Sequence, residues 1–136
     1  MTSILTAILV LSLLVLVHEL GHFTAARRLG VGVIKFSIGF GPRVWGIVRG
    51  GTEFVVAAFP LGGFVKMVGE HEEDPVPAEG AYTATPTAAP PDPALSFENK
   101  PVWARMIIIV AGPFANVLFA VLVFWFVFMF GVPMLL

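Results

Sequence analysis

The sequence predicts an α-helical membrane protein: two transmembrane helices joined by a cytoplasmic loop that contains a small, membrane-re-entrant β-hairpin and a disordered Pro-rich linker. Three observations carry this. Apolar residues make up 57% of the 136 and charged residues only 12%, with a mean hydropathy of +0.91. An average soluble domain is roughly 25% charged, so this chain lacks the polar side chains to cover a globule in water. All eight Lys and Arg lie between Arg27 and Arg105, as do all the acids except Glu19. The flanking stretches 1–26 and 106–136 carry no basic residue, and each exceeds the roughly 20 residues a spanning helix needs.

Residues 1–29 form the first predicted transmembrane unit, with its helix running from about Ser3 to Arg27. Ile4 to Val17 are apolar on nearly every face, which suits a helix surrounded by lipid. Gly30 and Gly32 break it. A cleaved signal peptide would carry basic residues ahead of its apolar run, whereas Arg27 and Arg28 follow it.

Residues 30–69 are β-rich and punctuated by glycine. Val44–Val48 and Thr52–Phe59 flank the turn signal Arg49-Gly50-Gly51, the pattern of a hairpin. Pro60 is expected to end that strand, and Leu61–Met67 to begin another. The segment is too apolar for an ordinary surface loop and is expected to dip into the bilayer or pack on the helices. Residues 70–95 are acidic and Pro-rich, with Pro75, Pro77, Pro86, Pro90, Pro91 and Pro93. Such a composition cannot bury a core and reads as a flexible linker. Residues 96–136 supply an amphipathic approach and a second helix from about Val102 to Phe130, interrupted by Gly112-Pro113 and the polar Asn116.

Charge placement orients the chain. Arg27, Arg28, Lys100 and Arg105 sit at both loop ends, so the positive-inside rule puts the loop in the cytoplasm and both termini outside. A net charge of −1 and a pI near 6.3 give no basis for nucleic-acid binding. With no cysteine, any metal must be held by nitrogen and oxygen.

One motif carries chemistry. His18-Glu19-Leu20-Gly21-His22 is an HExxH pattern on a helix. Side chains at i and i+4 differ by only about 40° around the helix axis, so both imidazoles can reach one zinc ion. Glu19 projects beside them, placed to take a proton from an activated water. Ionisable groups this deep in an apolar helix are costly and default to a functional role. A catalytic zinc wants three protein ligands, and the motif supplies two. Ala25 and Arg28 stand where a metzincin needs Gly and His. His71, Glu70 and Glu72 are the nearest other donors, but a solvated charge run accounts for them better.

Small residues suggest where the helices meet: Gly21 and Ala25 on the first, and Gly112, Asn116 and Ala120 on the second. Asn116 could hydrogen-bond across. An exposed strand edge within residues 30–69 would accept an added extended segment by β-augmentation.

The motif, followed by Ala26-Arg27-Arg28, Phe36-Ser-Ile-Gly-Phe-Gly41, Pro60-Leu-Gly-Gly-Phe-Val-Lys-Met67, Asn99-Lys-Pro101 and Ala111-Gly-Pro-Phe-Ala-Asn116, resembles the bacterial site-2 proteases. These are intramembrane zinc metalloproteases of peptidase family M50, and the regulator-of-sigma-E type is the nearest pattern. The resemblance implies a zinc endopeptidase of the bacterial inner membrane that cuts transmembrane segments of membrane proteins. His18 and His22 would be zinc ligands and Glu19 the catalytic base. Val55, Val56, Gly62, Gly63 and Asn116 are candidate substrate-binding positions. In this family the third ligand is an aspartate on a later helix, beyond PDZ domains. This chain shows neither, so the expectation is an N-terminal part completed by a C-terminal half that supplies the Asp. The alternative is a non-catalytic membrane adaptor, or an inactive fragment, that binds transmembrane segments without cutting them.

Overall fold

Apolar chain that has no polar side chains to pair its backbone must pair it internally, and both apolar stretches do so as helices. The computed structural model describes residues 2–70 and 92–131. Helix α1 spans Thr2–Arg28, strands β1 and β2 span Val33–Arg49 and Thr52–Met67, a 3-10 turn spans Pro93–Leu95, and helix α2 spans Val102–Phe130. Most of the expected linker, with His71 and Glu72, lies outside the described residues.

Both helices are long and apolar enough to cross a membrane. Their 27 and 29 residues correspond to about 40 Å at 1.5 Å per residue, against a hydrocarbon core of about 30 Å. None of the most apolar stretch of α1 and only 11% of that of α2 is buried within the chain. Leu5 is 61% exposed and Phe128 83%. A core helix of a water-soluble protein would be covered; these present their apolar side chains outward.

The sheet differs from the expected hairpin. β1 and β2 are each continuous, and β2 runs through Pro60 instead of ending there. Gly50 and Gly51 make the tight turn between them with φ of 59° and 78°, the left-handed pair that a two-residue hairpin loop needs. From that turn, Arg49, Ile47 and Trp45 pair with Thr52, Phe54 and Val56 in antiparallel register. Both strands then fold back on themselves. Phe36, Ser37 and Ile38 pair with Val65, Phe64 and Gly63 on one side, and with Phe54, Val55 and Val56 on the other. In the second set both numbers rise together, which is the parallel sense. The bend in β1 falls at Gly39, where a Cβ would lie 3.2 Å from the Phe59 carbonyl carbon and closer still to its oxygen.

Two strands thus make a four-ribbon sheet. Segment 52–56 lies inside it, and segments 43–49 and 61–67 form its edges. Val55 and Val56, expected on an exposed edge, are in the interior. Thr52, fully buried, donates its hydroxyl to the Val33 carbonyl at 2.7 Å and fixes this register.

The sheet packs along α1. Phe23 of α1 meets Phe36 and Phe54 edge-on at 5.4 and 5.7 Å. Arg27 donates to the Gly50 carbonyl at 3.0 Å, pinning the turn to the end of α1. At the other end of the sheet, the Ser12 hydroxyl donates to the Pro60 carbonyl. Pro60 to Val65 spans about 16 Å of strand and Ser12 to Phe23 about 16 Å of helix, so the two run side by side. Residues 96–101, the start of the expected approach to the second helix, form turns. Backbone bonds from Gly32 to Leu95, Val68 to Gly32 and Phe97 to Val68, at 2.9, 2.8 and 2.7 Å, bring the start of α2 beside the end of α1.

Candidate active site

The site lies where α1 crosses α2. Gly21 lets the backbones touch: a Cβ there would sit 2.8 Å from the Ala115 methyl and closer still to the Ala111 carbonyl oxygen. The buried stripe of α2 is Ala104, Ile108 and Gly112, spaced by four residues so that it stays on one face. Asn116, half-buried, continues it, whereas Ala120 is exposed.

His18 and His22 share the facing side of α1, with ring centroids 4.8 Å apart. Both turn Nε2 towards Gly112. A methyl built on Gly112 would lie 2.7 Å from His18 Nε2 and closer still to His22 Nε2. The missing side chain is therefore what leaves room beside the two nitrogens. Pro113 follows it inside the helix, and a proline there removes the N–H that Ile109 would otherwise receive.

The far side of each ring is also held. His22 Nδ1 lies 2.7 Å from the Ile108 carbonyl oxygen. A carbonyl only accepts, so this nitrogen carries a proton, and in the neutral ring the lone pair is left on Nε2. His18 Nδ1 lies 3.4 Å from the Asn116 side-chain nitrogen, while Asn116 Oδ1 is buried without a partner. Glu19, next to His18 and half-buried, lies about 100° further round the helix.

Two imidazole nitrogens facing one gap opened by a glycine, with one ring oriented from behind by a carbonyl, fit a divalent ion such as zinc. Among the described residues no group of three or more His, Asp or Glu side chains converges here. Sequence reasoning found both histidines and marked Gly112 and Asn116 as unusual. It missed the Ile108 carbonyl. The available signal was spacing, since 108, 112 and 116 form one stripe. Gly62 and Gly63 lie on the edge segment 61–67, level with α1 between Ser12 and Phe23.

His18 and His22, one helical turn apart, have the spacing of a zinc-binding HExxH helix. The model of peptidase family M50 matches residues 6–135. The chain is 48% identical over 127 residues to the regulator of sigma-E protease RseP of Salmonella typhimurium, covering 93% of this chain and 25% of the relative. It is 46% identical over 127 residues to the Escherichia coli protein of the same name, with the same coverage. Identity is also 46% over 127 residues with a Vibrio cholerae protein whose name marks it as a candidate zinc metalloprotease, covering 93% of this chain and 25% of the relative. This chain belongs to peptidase family M50. It spans about a quarter of the length of these relatives.

Proposed function

We propose that this chain carries the zinc-binding and proton-transfer residues of an endopeptidase that cleaves transmembrane segments within the bilayer. The observation that carries the reading is the gap at Gly112, faced by both Nε2 atoms at the crossing of two helices long enough to span a membrane. His18 and His22 would hold the ion, with an aspartate from elsewhere in the protein as third ligand. Bound there, zinc supplies Lewis acidity for attack of water on an amide.

The chain's own residues do the rest. Ile108 fixes the tautomer of His22. Glu19 takes a proton from the attacking water and returns it to the departing amine. The apolar crossing excludes bulk water, which strengthens each of these interactions. The edge segment 61–67, with Gly62 and Gly63, is the place for an unwound substrate to add as a strand, because Val55 and Val56 are already paired on both sides.

Depth supports the bilayer setting. Contacts from Arg27 to Gly50 and from Ser12 to Pro60 stretch the sheet along about 22 Å of α1. If α1 crosses the membrane, the Pro60 end of the sheet is inside it. We place the loop in the bacterial cytoplasm and both helix ends remote from it outside the inner membrane, on the charge asymmetry. Reporter fusions at residue 85 and after α2 should report opposite sides. Zinc content of the complete purified protein should fall to background in His18→Ala and His22→Ala. Zinc retained by both variants would remove these residues from the metal site.

A further inference from the structure

The two histidines are supported unequally, and the difference is informative. His22 has a partner that can only accept, the Ile108 carbonyl at 2.7 Å. His18 has a partner that can present either end of an amide, Asn116 at 3.4 Å. With the amide nitrogen towards the ring, Asn116 donates to His18 Nδ1. A neutral His18 would then carry its proton on Nε2, the atom facing Gly112, and have no lone pair to offer there. Oxygen and nitrogen of an amide differ little in size, and their assignment is settled by the hydrogen-bond network. In this placement Asn116 Oδ1 is buried with no partner. Rotating the amide by half a turn brings that oxygen to His18 Nδ1. Of the two amide orientations, the structure records the one with the nitrogen towards the ring. Only the rotated one leaves Nε2 of both histidines with a lone pair.

We infer that Asn116 is a positioning residue: its amide oxygen accepts the Nδ1 proton of His18 and holds that ring in the tautomer that offers Nε2 to the gap at Gly112. The inference rests on the metal-site reading given above, but concerns a different residue, one expected from sequence to touch substrate. It makes α2 an orienting rod. Ile108, Gly112 and Asn116, four residues apart, serve in turn one ring's back, both rings' fronts and the other ring's back. A helix repeats its face every 3.6 residues, so this stripe follows the paired histidines along the crossing.

The test reads the tautomer and does not depend on turnover. Long-range proton–nitrogen spectra would be recorded on the metal-free chain in lipid nanodiscs, with 15N-labelled histidine, at a pH where imidazole is neutral. Wild type should show both His18 and His22 protonated at Nδ1. Asn116→Leu should move His18 to the Nε2-protonated form, which free imidazole side chains favour, and leave His22 unchanged as an internal reference for folding. Asn116→Asp keeps an acceptor of the same shape and should restore the Nδ1-protonated form. In the complete protein, zinc affinity should fall by roughly 10–100-fold in Asn116→Leu, the usual loss when the partner behind a ligand is removed. It should recover in Asn116→Asp.

A wild-type His18 protonated at Nε2 would overturn the inference whatever the variants do. So would an Asn116→Leu chain in which His18 keeps its proton on Nδ1. Failure of the metal reading looks different: the tautomers would behave as described while neither wild type nor variant takes up zinc.

Discussion

The helix crossing and the sheet of this chain solve the same problem, close approach in an apolar setting, in opposite ways. At the crossing, small residues at fixed spacing bring two backbones together. Gly21 meets Ala111, and Gly112 makes room for two rings. Both ring Nδ1 atoms there have defined neighbours: Ile108 behind His22 and Asn116 behind His18. In the sheet, glycines at the bend and turn let two strands change partners, so that segments 35–38 and 53–56 are each paired twice while 43–49 and 61–67 are left as edges. The crossing is built to hold side chains in place. The sheet is built to leave backbone available. On the proposed function, the first would serve the chemistry and the second would keep an unwound segment extended.

Filling the gap at the crossing should have the largest effect. Gly112→Val would place a side chain against both Nε2 atoms. Zinc uptake by the complete protein should be lost and cleavage of a tagged transmembrane substrate should drop to background, while detergent-extracted protein stays monodisperse. Full zinc loading of that variant would show that the gap is not the metal's place.

The sheet can be broken in two distinguishable ways. Val55→Pro removes a donor from a segment paired on both sides, where proline is not tolerated. With the partner left unpaired, the cost is on the order of 1–3 kcal/mol, read as a lowered thermal midpoint or aggregation. Proline scanned through 61–67 should instead give alternate positions that fold normally yet cleave poorly. If the two segments responded alike, the edge assignment would be wrong.

A smaller effect is expected where sheet and helix are pinned together. Arg27→Ala removes the bond to Gly50 and the guanidinium 5.8 Å from the Phe23 ring centroid. For an exposed cation over a ring the loss is about 0.5–1 kcal/mol, measurable as a modest rise in hydrogen exchange at residues 49–52.

How much of this could be read in advance follows the same division. The paired histidines were legible because i and i+4 on a helix have a fixed relation that any sequence reveals. Both helices were legible within a residue or two, since apolar length alone determines them. The Ile108 carbonyl was not, because every residue has one and only the crossing angle aims it. Nor was the register of the sheet. Alternation at Val55 and Val56 announces a strand but does not name its neighbours, and Pro60 looked like a stop where the chain in fact changes partner. Asn116 stood out as a polar residue in an apolar helix, but sequence alone could not say whether it faced a substrate or a histidine.

The central claim is that the motif at the crossing activates water rather than merely binding a helix, and Glu19 tests it most directly. Glu19→Gln keeps the size of the side chain and removes its basicity. Cleavage of a tagged transmembrane substrate by the complete protein in membranes should fall by roughly 10²–10⁴-fold, the usual contribution of a general base. Zinc content should stay unchanged and uncut substrate should co-purify with the variant. Equal cleavage by wild type and Glu19→Gln would contradict the account.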